Sequence, residues 1–162
     1  MTEVEALIQA LNQHQVEYIV VGGVAALAHG SVRLTQDLDL VYRRSPENMD
    51  RIVAALHDLK PYLRGAPPGL PFVWDKATLA HGLNFTLETN LGWIDLLGEI
   101  PGGGQYEDLV SGSVELQMFS GVSKCLNLDQ LIRAKRAAGR PKDLEALAEL
   151  EALREETGSS RG

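Results

Sequence analysis

The stretch from Tyr18 to Tyr42, YIVVGGVAALAHGSVRLTQDLDLVY, constrains this chain more than any other. Tyr18-Ile19-Val20-Val21 is a continuous apolar, β-rich run, the pattern of a strand covered on both faces, and Gly22-Gly23 ends it. The small residues from Val24 to His29, with Ala25, Ala26 and Ala28, predict a short helix able to approach a sheet closely. Its N-terminus would present backbone N–H groups beside glycines whose missing Cβ leaves room for a phosphate. Arg33 and Thr35 fall in the loop that follows. The chain then enters Asp37-Leu38-Asp39-Leu40-Val41-Tyr42. Strand side chains alternate, so the two aspartates share one face about 6.5–7 Å apart and the leucines share the other. Aspartates are poor strand formers and repel each other, which makes sense with a cation between them.

The whole chain has 162 residues, 44% hydrophobic and 23% charged. That is enough for one core and too little for two, so a single domain over residues 1–157 with a flexible tail at 158–162 is expected. No apolar run approaches the ~20 residues needed to span a bilayer. The N-terminal MTEVEALIQALNQ is an acidic amphipathic segment rather than a signal peptide, so a cytoplasmic protein that engages no membrane is expected. The single cysteine, Cys125, excludes an intrachain disulfide and a cysteine-rich zinc site, and is assigned to the core. A net charge of -7 argues against a broad grip on nucleic acid, which draws on Lys and Arg. The basic residues are instead local: Arg133, Lys135, Arg136, Arg140 and Lys142 fall together with no acid among them.

Other elements follow from periodicity. Val4, Leu7, Ile8 and Leu11 predict a helix over 3–13. Ser45 as N-cap, Pro46 at the first helical position and Met49, Ile52, Val53 and Leu56 along one face predict a helix over 46–60. The Pro/Gly-rich segment from Arg64 to Phe72 reads as a mobile loop near a site. A short helix is expected at 76–81, and residues 83–97 read as an antiparallel hairpin turning at Asn90-Leu91-Gly92. Pro101-Gly-Gly-Gly-Gln105 lacks the Lys-Ser/Thr of a phosphate loop and reads as a connection. A helical turn at 106–110, a strand at 114–119 and an edge segment at 121–126 lead to a helix capped by Asn127 or Asp129. Gly139 suits the end of that helix, and Pro141 opens the last one, expected to run to about Glu155. His29 reads as a capping or packed residue, and His14, His57 and His81 are too scattered for a metal site. No Cys/His nucleophile pair can be placed.

The pattern GG(x)13DLD, preceded by YIVV, resembles the nucleotidyltransferase (polymerase β-like) superfamily, and among its members the small AbiEii-like bacterial group. The resemblance implies an α/β (α+β) fold, a central mixed sheet flanked by helices with a C-terminal helical pair. It implies phosphate contacts from Gly22 and Gly23, with Arg33 and Thr35 beside them, and metal binding by Asp37 and Asp39. This chain carries Gly where many members carry Ser, one phosphate-contacting hydroxyl fewer. Members place a third carboxylate on a neighbouring strand. Asp95, alone among apolar residues and on the face of Trp93 and Leu97, takes that place, with Glu88 and Glu99 as the alternatives. The later pattern LI(x)2K(x)4RPKD(x)2AL resembles the AbiEii-like C-terminal motif, in which a lysine contacts the triphosphate and an aspartate completes the site. Lys135 and Asp143 hold those positions. Arg140 and Lys142 are the further nucleotide contacts.

The two patterns imply complementary chemistry: carboxylates for Mg2+, as two ions, and cations for the nucleoside triphosphate. The expected reaction transfers a nucleoside monophosphate to a hydroxyl on an RNA end, a protein or a small molecule. The other readings are a catalytically silent nucleotide-binding module and a toxin–antitoxin component with a small partner protein.

Overall fold

The structure is a computed structural model that describes residues 2–31, 35–118 and 121–159; Arg33, Phe119 and the last three residues of the expected tail lie outside them. Helix α1 (Val4–Gln13) buries Leu7, Ile8 and Leu11 at the expected spacing. Strand β1 (Tyr18–Val21) is buried at every position. It runs straight into α2 (Gly22–Ala28), which begins at the first glycine rather than after the pair because Gly22 takes a left-handed φ of 66° and turns the chain there. Strand β2 (Asp37–Tyr42) follows, then α3 (Pro46–Leu56), capped by the Ser45 side chain. The expected helix to residue 60 stops at Leu56: His57–Leu59 is a 3-10 turn, and Lys60 adopts a left-handed φ of 53° before Pro61.

Strand β3 (Tyr62–Leu63) was not expected; two residues leave no alternation to read. Helix α4 (Lys76–His81), β4 (Phe85–Thr89) and β5 (Gly92–Leu97) are the anticipated helix and hairpin. The glycine-rich connection proves to be the turn of a small hairpin, β6 (Glu99–Ile100) with β7 (Gly104–Gln105). It is followed by α5 (Tyr106–Leu109), β8 (Val114–Met118), β9 (Gly121–Cys125), α6 (Leu128–Ala138) and α7 (Pro141–Ser159). Asn127, rather than Asp129, caps α6 through a reciprocal pair with Gln130. Helix α7 outruns its expected end at Glu155.

Seven strands form one mixed sheet in the order β3-β4-β5-β2-β1-β9-β8. Helix α2 packs on β1 and β2 and against α6, α1 packs on α3, and α6 packs on α7. The expected edge segment 121–126 is interior. Strand β9 lies parallel beside β1 with Val20 opposite Cys125, and β8 forms the edge. Its alternation hid this, because Ser123 is buried against the Tyr18 hydroxyl instead of facing water. Cys125 is fully buried beside Met118, and burial pushes its thiol up to about 11. Among the described residues no helix is long and apolar enough to cross a membrane.

Candidate active site

Strand register builds the acidic half of the site. Strand β2 lies between β1 and β5, antiparallel to the first and parallel to the second. Asp39 is therefore level with Val21 on one side and Asp95 on the other, and Asp37 is level with Trp93. The alternation that turns Leu38, Leu40, Ile94 and Leu96 into the core turns Asp37, Asp39 and Asp95 to the opposite face. One carboxylate oxygen from each lies within 4.8 Å of the others. Asp95, not Glu88 or Glu99, thus joins the pair: Glu88 stands exposed opposite Trp93, and Glu99 pairs with Gln105 in the small hairpin.

The two glycines serve this cluster directly. A Cβ on Gly22 would sit 2.3 Å from Asp39 Oδ2, at a φ that side chains rarely adopt. A Cβ on Gly23 would sit 2.6 Å from Thr35 Oγ1. Thr35 in turn donates to the Asp37 carbonyl at 3.1 Å and to its carboxylate at 3.4 Å. Bare backbone at both positions lets the turn close onto the acids.

Crowding three acids has an electrostatic cost. Burial first, and then the charges of Asp37 and Asp95, push the Asp39 carboxyl up to about 8. Burial also raises Asp95, although the Arg64 guanidinium pulls it back. Asp39 Oδ1 is sealed from solvent and has no hydrogen-bond partner among the described residues. A divalent cation fits this cluster, since it would supply the missing partner and relieve the repulsion.

Arg64, at the start of the Pro/Gly-rich segment, sits on the cluster. Its Nη2 donates to Asp95 Oδ1 at 2.6 Å and to the Leu87 carbonyl at 2.9 Å, and Nη1 lies 3.8 Å from Asp37 Oδ2. The guanidinium also stacks over the Trp93 ring at 4.7 Å. The cause is register: β3 pairs with β4, and the Arg64 N–H donates to the Thr86 carbonyl, with Thr86 opposite Asp95. Only the pairing of a two-residue strand could have signalled it.

The basic half comes from α6 and α7. Gly139 ends α6 with a left-handed φ of 65°, so the chain reverses and brings Asp143, in the first turn of α7, against the end of α6. Asp143 is completely buried. It accepts from Lys135 Nζ at 3.2 Å and from Arg140 Nε at 2.6 Å and Nη2 at 3.2 Å. Burial raises its pKa, but these bonds outweigh that, so the net shift is downward. Lys135, Arg140 and Lys142 line a cleft of about 620 Å3 that Gly23, Thr35 and the three aspartates also line. Asp143 does not line it; it holds two of the cations that do. Arg136 points elsewhere, to Glu151, and His29 is packed against the Leu126 carbonyl. Arg33 lies outside the described residues.

No protein-family model and no curated protein matches the chain. Solved structures do. The chain is similar over 98% of its length, and 97% of the other, to the crystal structure of ANT(2")-Ia in complex with adenylyl-2"-tobramycin, with a TM-score of 0.56 and 16% identity. The solution structure of the antibiotic-resistance factor ANT(2")-Ia matches over 98% of this chain and 90% of that one, with a TM-score of 0.54 and 17% identity. An antigenic nucleotidyltransferase-like protein from Paracoccidioides brasiliensis matches over 94% and 78%, with a TM-score of 0.51 and 16% identity. The fold is therefore that of the nucleotidyltransferases, as the sequence resemblance implied.

Proposed function

We propose that the protein is a metal-dependent nucleotidyltransferase that moves a nucleoside monophosphate from a nucleoside triphosphate to a hydroxyl on a small molecule. The observation that carries this reading is one cleft with two opposed linings: three clustered carboxylates, one oxygen of which is buried without a partner among the described residues, and the cations Lys135, Arg140 and Lys142. Asp37, Asp39 and Asp95 would hold Mg2+, which when bound supplies Lewis-acid stabilisation of charge on the transferring phosphate. Lys135, Arg140 and Lys142 bind the β- and γ-phosphates and stabilise the leaving pyrophosphate. Thr35, with Gly22 and Gly23, lines the phosphate path. The acceptor oxygen bonds to the α-phosphorus as the bond to the bridging oxygen breaks, and the hydroxyl proton passes to a carboxylate of the cluster.

A small-molecule acceptor is supported by the likeness to a structure holding adenylyl-2"-tobramycin and by the net charge of -7, which disfavours a long nucleic-acid track. The likeness to the AbiEii-like group, and with it a small protein partner, rests on the two sequence patterns alone. The deciding experiment offers each α-labelled nucleoside triphosphate with Mg2+ to the protein alongside a panel of aminoglycosides, total RNA and cell lysate. Label moving to a small molecule, and lost in Asp37→Ala/Asp39→Ala, is expected. Equal transfer by the double variant would sink the mechanism; label on RNA or protein would reassign the acceptor; nucleotide binding without product would identify a silent module.

A further inference from the structure

Arg64 is held by groups that belong to two neighbouring strands, β4 and β5. Its own backbone is tied to β4, its Nη2 bonds both Asp95 Oδ1 and the Leu87 carbonyl, and its plane lies over Trp93, two residues before Asp95 on the same face of β5. The carbonyl and the ring keep the guanidinium in place whatever the carboxylate does. Its side chain is 19% exposed, so these bonds compete little with water. We propose that Arg64 is the positioning residue of the third carboxylate: it fixes Asp95 by one oxygen, so that Asp95 presents the other to the cation. The proposal rests on the reading of Asp37, Asp39 and Asp95 as a metal site. One nitrogen, Nη2, makes both bonds while the guanidinium plane lies flat on the indole; a lysine ammonium has donors enough for the two bonds but no plane to stack, so it loses the anchor that holds the nitrogen in place.

The test is a double-variant cycle read by calorimetric titration of the full chain with Mn2+ in the absence of nucleotide. Asp95→Asn is expected to weaken Mn2+ binding about tenfold when Arg64 is present and by less than about twofold in Arg64→Gln, because an unheld carboxylate contributes little. Comparing the Asp95→Asn effect in both backgrounds cancels the change in net charge that Arg64→Gln brings. Arg64→Lys is expected to behave like Arg64→Gln, and it carries the same cycle should Arg64→Gln fail to fold. In turnover assays Arg64→Lys is expected to lower kcat by about 10–100-fold with the nucleotide KM within about twofold. An equal Asp95→Asn effect in both backgrounds, or full rescue by lysine, overturns the proposal. Failure of the wild type to bind Mn2+ overturns it together with the metal reading. The expected Mn2+ cycle in a protein that transfers no nucleotide refutes the proposed activity and leaves the role of Arg64 standing.

Discussion

The two linings of the cleft are charged in opposite ways and are also held in opposite ways. The carboxylates stand on adjacent strands, fixed by backbone ladders, and they are incompletely neutralised: Arg64 reaches Asp95 and, at longer range, Asp37, while Asp39 Oδ1 has no partner among the described residues. The cations stand on helices and across a turn, and Lys135 and Arg140 share a buried internal counter-ion in Asp143. The acidic lining therefore gains from a charge brought by something bound, whereas two residues of the basic lining are already paired. Function on the first side trades against stability; on the second side the two run together.

That contrast can be broken experimentally. The largest effect is expected from Asp37→Asn/Asp39→Asn, which should reduce transfer about a thousandfold, roughly 4 kcal/mol, in a labelled-nucleotide assay. Near pH 9 and without metal the same variant should melt higher than wild type, because it removes repulsion from a crowded site. Asp143→Asn should do the reverse, costing about 2 kcal/mol or some 4–8 °C in a thermal melt. That figure stays below the usual loss for a broken buried pair because Arg140 is 58% exposed and can hydrate. The Asp143 pKa is lowered in the fold, so its contribution is present above about pH 4 and fades below it, where the two proteins should converge. Lys135→Met should raise the nucleotide KM about tenfold, roughly 1.4 kcal/mol, in steady-state kinetics.

The smallest effect is a pH dependence. With Asp39 raised to about 8 from an ordinary value of 3.8, its contribution to the stability of the metal-free protein declines as pH climbs between those values. Divalent metal needs the ionised form and must displace a proton below about pH 8. The rise in melting temperature caused by Mg2+ should therefore be larger near pH 9 than near pH 6, by about 3 °C. A shift independent of pH would place the metal elsewhere.

The acidic lining was the more legible in sequence, for a physical reason. A period of two forces Asp37 and Asp39 onto the face opposite Leu38 and Leu40, and a lone acid between Ile94 and Leu96 obeys the same rule, so faces could be assigned before any pairing was known. Helix caps likewise announced the turn at Gly139 and Pro141. What escaped was whatever depends on which strands are neighbours. Arg64 joins the site only through a two-residue strand, and β9 is interior because it pairs with both β1 and β8, its polar Ser123 being buried against the Tyr18 hydroxyl. The glycine pair announces bare backbone, but that a Cβ there would strike Asp39 and Thr35 depends on contacts between elements.

The buried cysteine has a practical consequence for watching this cleft at work. Cys125 is the chain's single thiol, it is inaccessible, and its raised pKa leaves almost no thiolate at neutral pH. Towards maleimides and other thiol-directed dyes the native protein should behave as though it had no cysteine. A cysteine introduced at exposed Gln36, which lines the cleft and carries none of its charge, would then take the label alone, leaving the background unmodified, and would place a fluorophore or spin probe at the mouth of the site.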